Sequence, residues 1–463
     1  MAIFHKHYMW LKKIMYLCNL FQKFNKMEIV IKIIQLLLCL SLLVIVHEFG
    51  HFIAAKIFKT RVEKFYLFFN PWFSICKFKI GETEYGIGWI PLGGYVKIAG
   101  MIDESMDTEQ MKQPPQPYEF RSKPAWQRLI IMLGGVIMNI IAAMIIYICL
   151  LFHYGEQYLP TDNVKYGITT NEIAYDMGLR NGDKIISLDN VKIESFYKIP
   201  EAILLDQPKT IQVERDGKII DIDVSDEAIG KLIKSDGGFI SPRMPFIVGG
   251  FGEDSPAQAS GMLVNDRIIG IGGQKTEFFD QFKEAILNYK NTDTDIVVLR
   301  GSDTMDFKIH IPEEAVIGVY ASSTNIFEFA EKSYTFWQAI PAGCAKAFTT
   351  VGSYLKQLKL LFNPEVKAYE SIGSFITIGS IFPGTWDWQS FWHLTAFISI
   401  ILAVMNLLPI PGLDGGHVLF VLVEMISGRK PSDKFLERAQ TVGMILLLAL
   451  FALAMWNDIT RFF

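Results

Sequence analysis

Four long apolar stretches constrain this chain more than any other feature of its sequence. Each approaches or exceeds the length of about 20 residues that a helix needs to cross a bilayer. The stretches cover residues 33–55, 129–152, 388–413 and 439–456. Because 51% of all residues are hydrophobic, a soluble fold is excluded, and we predict an α-helical polytopic membrane protein with four transmembrane helices.

Charge is distributed unevenly along the chain. Residues 160–320 hold 27 acidic and 17 basic side chains, a net charge of −10, whereas the rest of the chain carries +6. The basic residues cluster at the ends of the apolar stretches, around residues 56–64, 121–128 and 429–438. The positive-inside rule places these clusters in the cytoplasm and residues 160–320 and both termini on the opposite side. We therefore expect the basic residues to interact with a lipid bilayer and not with a nucleic acid.

The first 26 residues disagree with this orientation. They contain five lysines and no acidic residue, which favours the cytoplasmic side. We interpret residues 1–26 as an N-terminal extension, with a start at Met27 as the alternative. A cleaved signal peptide is a poor interpretation, because no small-residue cleavage site follows the apolar stretch.

The acidic region contains an internal repeat. The run GLRNGDKII at residues 178–186 recurs 83 residues later as GMLVNDRII at residues 261–269. In each copy a tight turn with an aspartate leads into an alternating apolar strand. The repeat predicts two copies of one β-rich domain, over residues 160–240 and 241–320. Asn265 stands where the first copy has Gly182, so we expect the second turn to differ.

The first apolar stretch contains the run HEFGH at residues 47–51. On a helix, positions i and i+4 project from the same face, so His47 and His51 can bind one zinc ion. Glu48 lies beside them, placed to accept a proton from the attacking water. Ionisable groups are costly inside a membrane, so three of them in one span indicate a functional site. The five cysteines are scattered and predict no thiolate metal site.

Two histidines leave a zinc ion short of one protein ligand. The best candidate is Asp414, in the run NLLPIPGLDGGH at residues 406–417. Prolines and glycines break the helix here and free backbone that can face a water-filled cavity. His417 competes as the third ligand, and the alternative role for it is a helix-end or second-sphere histidine. We favour Asp414.

The two motifs, one in each of two spans, resemble the site-2 protease family of intramembrane zinc metalloproteases. The tandem repeats resemble the PDZ domains of the bacterial RseP type, and the resemblance covers nearly all of residues 27–463. It implies a multi-pass protein of the bacterial inner membrane, with its active site open to the cytoplasm and PDZ-like domains in the periplasm. It also implies single-span transmembrane substrates, either anti-sigma factors after a prior extracytoplasmic cut or signal-peptide remnants.

The resemblance assigns roles to the residues that match the family's motifs. They are the zinc ligands His47, His51 and Asp414, the catalytic acid/base Glu48, and the substrate contacts Asn406, Pro409 and Asn139. The motif that ends at Asn139 departs from the family pattern at Val136, where a proline is usual. That departure leaves the metal chemistry untouched.

A protease that cuts a transmembrane helix must also replace the hydrogen bonds of the substrate backbone. Residues 77–98 read as short strands with glycine turns, which predicts a small sheet dipping toward the membrane. An unpaired edge could add the unwound substrate as a strand, with Gly93 and Gly94 in contact with it. The family has a membrane-associated β-loop at this place, and an ordinary cytosolic hairpin is the alternative.

Two further segments separate the repeats from the third span. Residues 331–362 have the aromatic and polar pattern of a helix on the membrane surface, and residues 371–386 read as re-entrant. The predicted order is an extension (1–26), the first span (27–56), a cytoplasmic loop with the β-loop (57–128), the second span (129–152), PDZ-like domains (160–240 and 241–320), an interfacial region (321–387), the third span (388–417), a cytoplasmic loop (418–438) and the fourth span (439–457).

Three other functions compete with intramembrane signalling proteolysis. A catalytically silent protein that only binds membrane helices would be favoured by loss of Glu48 or a ligand, yet all are present. A zinc transporter would need more polar residues across several spans. A protease that only clears signal peptides shares the chemistry, so its substrates alone distinguish it.

Overall fold

The computed structural model describes residues 2–101, 113–234, 238–324, 326–361 and 373–462 of the chain. The chain forms two compact units. The first, the helical unit, comprises the described residues within 1–155, 333–358 and 373–462. The second, the repeat unit, comprises the described residues within 156–332 and residues 359–361.

The secondary structure follows this division. The helical unit begins with α1 (Ala2–Ile57), β1 (Val62–Phe69), β2 (Cys76–Ile80), β3 (Thr83–Ile87), β4 (Ile90–Ile98) and α2 (Ala125–Tyr154). The repeat unit contains β5 (Glu156–Tyr158), β6 (Ile168–Thr170), α3 (Glu172–Asp176), β7 (Lys184–Leu188), α4 (Lys198–Asp206), β8 (Thr210–Arg215), β9 (Lys218–Asp223), α5 (Asp226–Lys234), β10 (Ile240–Pro242), β11 (Phe246–Phe251), α6 (Pro256–Ala259), β12 (Arg267–Ile271), β13 (Gln274–Lys275), α7 (Phe279–Ala285), β14 (Thr292–Arg300), β15 (Asp303–Ile311), β16 (Val319–Ala321) and β17 (Ala330–Lys332). The chain then returns to the helical unit with α8 (Phe336–Leu361), α9 (Phe375–Ile381), α10 (Trp388–Leu407), α11 (Asp414–Ser427) and α12 (Asp433–Phe462).

Among the described residues, four helices are long and apolar enough to cross a membrane. They are Lys26–Ile57, Ala125–Tyr154, Trp388–Leu407 and Lys434–Thr460. Each overlaps one of the four predicted spans, which is consistent with a polytopic membrane protein. The third is shorter than predicted, because Pro409 and Pro411 cannot continue α10. The separate helix α11 then occupies part of the segment where we expected a cytoplasmic loop.

Small residues let α1 and α2 pack closely. A Cβ atom on Gly50 would overlap the backbone of Gly134, and a Cβ atom on Gly134 would lie 2.5 Å from the Gly50 carbonyl oxygen. Close approach through small residues is a common way for helices to associate in membranes. Larger side chains at either position would push the two helices apart, so the crossing sets the distance between the elements that carry the site.

The four strands that follow α1 form one sheet in the order β2-β3-β1-β4. β1 pairs with β3 in parallel and with β4 antiparallel. Three of these strands lie in the predicted β-loop, whereas β1 was missed because its run VEKFYLFF does not alternate cleanly between polar and apolar residues. β4 is an outer strand of the sheet, so one of its edges is unpaired within it.

The segments before the third span contain two helices. α8 begins at Phe336, within the predicted surface helix, and α9 lies inside the stretch predicted to be re-entrant. Residues 362–372 lie outside the described residues. The N-terminus of α9 is held by Asp458 of α12, whose carboxylate accepts hydrogen bonds from the Ser374 and Thr377 hydroxyls at 2.5 Å.

Each half of the repeat unit has its own buried apolar core. One core contains residues between Leu159 and Ile240 and includes the sheet β7-β8-β9. The other contains residues between Phe246 and Ile317 and includes the sheet β15-β14-β12-β11-β16. Two separate cores are what the repeated turn predicts, while the domain boundaries 160–240 and 241–320 stay predictions.

The repeated turn is held by the same ion pair in both halves. Asp183 accepts two hydrogen bonds of 2.7 Å from Arg215, and Asp266 accepts two of 2.7 Å from Arg300. Both aspartates are 1% exposed. The hydrogen bonds from Arg300 hold the pKa of the Asp266 carboxyl below its usual value. The paired arginine lies on the strand that neighbours the one after the turn, so the pair fixes the register of the two strands.

The expectation that the second turn differs from the first was wrong. Gly182 has φ +97° and Asn265 has φ +73°, so both residues adopt the left-handed conformation. Asparagine is one of the few residues besides glycine that tolerates this region. The substitution therefore preserves the turn.

We predict that Asp266→Asn destabilises the second half of the repeat unit by about 2 kcal/mol. This cost is smaller than that of breaking a fully buried ion pair, because the Arg300 side chain is partly exposed. Amide hydrogen exchange of β12 and β14 in the full chain measures this. Because the folded-state pKa of Asp266 is lowered, its stabilisation is present at neutral pH and declines as the pH falls toward that pKa. The exposed Asp293→Asn is the control, and equal protection in the two variants would contradict the prediction.

Candidate metal centre

Two histidines lie one turn apart on α1 with their rings facing each other. The Nε2 atoms of His47 and His51 are 3.3 Å apart, and the rings meet edge to face with centroids 4.9 Å apart. His51 is 7% exposed. The helical spacing thus brings the two imidazoles together as the sequence predicts.

The third group comes from the far end of the chain. After α10 ends, the loop of residues 408–413 leads into α11, whose first residue is Asp414. The Oδ2 atom of Asp414 is 3.1 Å from Nε2 of His47 and 3.2 Å from Nε2 of His51. His47, His51 and Asp414 form the only group of potential metal ligands of this kind in the part of the chain that the structure describes.

The donor atoms of this cluster suit a metal ion. Oδ2 of Asp414 is buried and accepts no well-aligned hydrogen bond. Nδ1 of His51 lies 2.9 Å from the Ile131 carbonyl oxygen, to which it can only donate, so Nε2 carries the lone pair that faces Asp414. Two imidazole nitrogens and one carboxylate oxygen are a common set of ligands in catalytic zinc sites. The residues present therefore fit the predicted metal.

Asn139 of α2 contacts the other ligand histidine. Its Nδ2 atom is 3.3 Å from Nδ1 of His47, while its Oδ1 atom is buried without a hydrogen-bond partner among the described residues. The side chain is fully buried, and its backbone carbonyl accepts a 2.8 Å hydrogen bond from Ser399 of α10. The predicted substrate contact thus lies against a predicted metal ligand, and a contact with substrate stays a prediction.

A glycine makes room for the two rings. A Cβ atom on Gly135 would lie 2.5 Å from Cε1 of His47 and 2.5 Å from Nε2 of His51. The neighbouring residue is Gly134, where α2 crosses α1. One pair of glycines therefore serves two purposes, since it brings the helices together and leaves space for the imidazoles.

Glu48 lies outside the cluster but faces the same cavity. Its carboxylate accepts a hydrogen bond from the backbone N–H of Val96 on β4. This contact connects α1 to the outer strand of the sheet. A Cβ atom on Gly94, also on β4, would lie 3.6 Å from Cγ of Glu48, so this strand lies against the helix that carries the histidines.

The cluster opens into a cavity of about 940 Å³. The walls come from α1, β1, β4, α2, α10, α11, α12 and the loop before α11. Residues in contact with it include Glu48, Gly93, Gly94, Asn139, Asn406 and His417. A cavity of this size can hold a short stretch of extended peptide.

The remaining predicted site residues fall on different sides of this cavity. The Nδ2 atom of Asn406 is 3.4 Å from Nε2 of His47, so its amide is next to the cluster. Gly93 and Gly94 line the wall formed by β4. Pro409 is exposed and does not line the cavity, and His417 lines it without joining the group of three ligands.

Two contributions to the site escaped the sequence analysis. The Ile131 carbonyl oxygen that orients His51 carries no side-chain signal, so no sequence pattern could have revealed it. Gln440 of α12 also lines the cavity. The feature of the sequence that could have identified Gln440 is that it is a single amide side chain at the start of the fourth apolar stretch.

Comparisons with known proteins agree with this geometry. The model of Peptidase family M50 matches residues 35–450. A protein of Vibrio cholerae named as a zinc metalloprotease is 28% identical over 94% of this chain and 99% of its own length. The regulator of sigma E protease of Haemophilus influenzae is 25% identical, covering 92% of this chain and 98% of its own length.

The family match includes the cluster formed by His47, His51 and Asp414 as well as Glu48. It confirms the resemblance that the two motifs indicated. The chain belongs to Peptidase family M50, the site-2 protease family, and is a metalloendopeptidase.

Proposed function

We propose that this chain cleaves the transmembrane segments of single-span membrane proteins inside the bacterial inner membrane. The observation that carries the proposal is the position of the ligand cluster. His47 and His51 lie on an apolar helix long enough to cross a membrane, and the cavity beside them is bounded by an unpaired strand edge. A peptidase site within such helices suits a substrate that is itself in the bilayer.

Zinc is the metal of this site, in keeping with the names of the relatives. His47, His51 and Asp414 would hold it through Nε2, Nε2 and Oδ2, the three atoms that converge. When bound, zinc lowers the pKa of a coordinated water molecule and polarises the scissile carbonyl.

Glu48 acts as the general base and acid. Its position next to His47 in the sequence and on the cavity wall supports this role. It accepts a proton from the attacking water and then donates it to the leaving amine. The hydrogen bond from Val96 holds this carboxylate in place in the absence of substrate. Asn406, whose amide is next to His47, holds the substrate backbone near the metal.

The outer strand β4 supplies backbone partners for the substrate. A transmembrane helix shields its own carbonyls, so a scissile bond becomes accessible only when the helix unwinds. An unwound segment can then add to the free edge of β4 as a strand, next to Gly93 and Gly94. Because the Val96 N–H on this edge reaches Glu48, a peptide bound there passes close to the catalytic carboxylate.

Exposed aromatic side chains support membrane association of the sheet. Trp72 is 89% exposed, and the ring of Trp89 stacks on both Trp72 and Phe73. Aromatic clusters of this kind are typical of the interface between a bilayer and water. The sheet is therefore proposed as the membrane-associated β-loop, which brings the free edge of β4 to the depth of the site.

The substrates proposed are anti-sigma factors after a prior cut on the periplasmic side, or signal-peptide remnants. The name of the Haemophilus influenzae relative supports the first class. The basic clusters at the helix ends support an active site toward the cytoplasm, with the two repeats in the periplasm as PDZ-like domains. In that position the repeats could exclude substrates with bulky outer domains or capture a peptide terminus.

We predict that Glu48→Gln lowers cleavage of a tagged single-span substrate about 10²–10⁴-fold, because it removes the general base. The assay uses the purified full chain in detergent, with zinc content measured on both proteins. Zinc content should be unchanged, since Glu48 is not a ligand. Two substrates are compared, an anti-sigma factor trimmed on its periplasmic side and a signal-peptide remnant.

Each outcome of that assay discriminates between functions. Cleavage of only the signal-peptide remnant would favour a clearance role over signalling. No cleavage of either substrate by the zinc-loaded wild-type protein would contradict the proposed function and favour a protein that only binds membrane helices. Equal cleavage by Glu48→Gln would overturn the role of Glu48.

We also predict that Asn139→Leu weakens zinc binding about 10–100-fold, the usual effect of losing a partner that orients a ligand histidine. With zinc on Nε2, Nδ1 of His47 would carry the proton. The Asn139 amide, whose Nδ2 atom faces Nδ1 in this structure, would then turn over so that its Oδ1 atom accepts that proton in a hydrogen bond. Competition with a chelator measures the affinity. Ser399→Ala, which removes only a contact to the Asn139 backbone, is the control. An unchanged zinc affinity in Asn139→Leu would refute this role.

A further inference from the structure

Gln440 is a buried polar residue for which neither the fold nor the proposed chemistry has a use. It lies on α12 within the membrane-spanning segment Lys434–Thr460 and is 3% exposed. Its Oε1 atom is buried and has no hydrogen-bond partner in the part of the chain that the structure describes. The same side chain lines the cavity that contains the ligand cluster. A residue that lines the cavity therefore carries a buried amide oxygen without a partner among the described residues.

The position of Gln440 is fixed by the packing of α12 against the loop before α11. Gly443 lies so close to this loop that a Cβ atom on it would overlap the Pro411 carbonyl. A Cβ atom on Gly412 would lie 3.4 Å from the backbone nitrogen of Met444. Gln440 precedes these two α12 residues by three and four positions, so it shares their helix face. The loop that presents Asp414 thus also determines where the Gln440 amide lies.

An amide oxygen without a hydrogen bond costs folding free energy when it is buried within a membrane-spanning segment. A buried acceptor that has lost its water partners destabilises the protein unless a hydrogen bond replaces them. Polar side chains within membrane spans generally face a cavity or a partner and have a function. A side chain kept only for packing would be as well served by leucine or methionine. Its place on the cavity wall indicates that the missing partner is what the cavity binds.

We infer that Gln440 is a substrate-binding residue whose Oε1 atom accepts a hydrogen bond from one backbone N–H of the unwound substrate. This inference rests on the proposed function. When an extended peptide pairs with β4, the backbone groups along only one edge of the peptide form hydrogen bonds with that strand. N–H groups on the second edge of the peptide point away from β4 and need acceptors from the other walls of the cavity. Gln440 supplies one such acceptor, on a helix separate from both β4 and the ligands.

Gln440 contributes to substrate affinity and to the register in which the peptide lies along the cavity, because one particular backbone N–H of the substrate must face Oε1. It recognises the backbone rather than a side chain, so it suits a protease that accepts several transmembrane sequences. Asn406 also offers an amide in this cavity but lies against His47. Gln440 therefore adds a contact at a different point along the peptide.

The test combines Gln440→Met with substrate peptides in which single amides are replaced by esters. Methionine keeps the length of the side chain and removes the acceptor, and each ester removes one N–H donor. We expect kcat/KM for the all-amide peptide to fall about 5–30-fold in Gln440→Met, the effect of losing one hydrogen bond to substrate. One ester position should lower wild-type kcat/KM by a similar factor and have no further effect in the variant.

Controls separate this contact from general damage. Thr441→Val changes the next residue, which is exposed, and should cleave like the wild type. Zinc content should be the same in all proteins. Gln440→Leu provides a second variant without the acceptor should Gln440→Met not fold. Cleavage by Gln440→Met within twofold of wild type, or ester effects that are identical in the two proteins, would overturn the inference.

A binding measurement keeps the inference independent of catalysis. The zinc-loaded Glu48→Gln protein, with and without Gln440→Met, is titrated with a fluorescent all-amide peptide. We expect the second substitution to weaken binding by a similar factor. Failure of the wild-type protein to cleave would contradict the proposed function alone. Equal peptide affinity in the two zinc-loaded proteins would contradict the role of Gln440.

Discussion

The close crossing of α1 and α2 is the constraint on which the site depends. Gly50 and Gly134 leave no room for side chains between the two helices. The next residue, Gly135, leaves the space that the two imidazoles occupy. The same approach puts the Ile131 carbonyl oxygen 2.9 Å from Nδ1 of His51, which leaves the lone pair on Nε2, the nitrogen that faces Asp414. The same three glycines therefore determine both the packing of α1 against α2 and the positions of the two imidazoles.

Elements distant in sequence complete the site in a consistent way. Prolines end α10 and allow α11 to begin at Asp414, which places a carboxylate opposite the histidines. The sheet contributes β4, whose Val96 N–H reaches Glu48. The cavity enclosed by these elements offers three potential metal ligands, the carboxylate proposed as proton acceptor and a strand edge that is unpaired within its sheet. A peptide that must be unwound before it is cut needs all three.

The sequence predicts the parts of this protein that depend on local patterns. The i, i+4 spacing of His47 and His51, the helix break before Asp414 and the four apolar spans all follow from it. The strand β1 was missed because both its faces are partly buried and the polar alternation is lost. Contacts such as those of Asn139 and Gln440 depend on how closely the helices cross. A single sequence does not give these distances, so the contacts could not be predicted from it. The second repeat turn was misjudged because asparagine can adopt the glycine conformation.

The central claim is that His47, His51 and Asp414 together bind zinc within the membrane. X-ray absorption at the zinc K edge of the purified full chain tests it most directly. The account predicts two imidazole nitrogens and oxygen donors at about 2.0–2.2 Å, and loss of one oxygen or of the zinc in Asp414→Ala. Sulfur at about 2.3 Å, a shell of oxygen alone, or an unchanged spectrum in Asp414→Ala would contradict it.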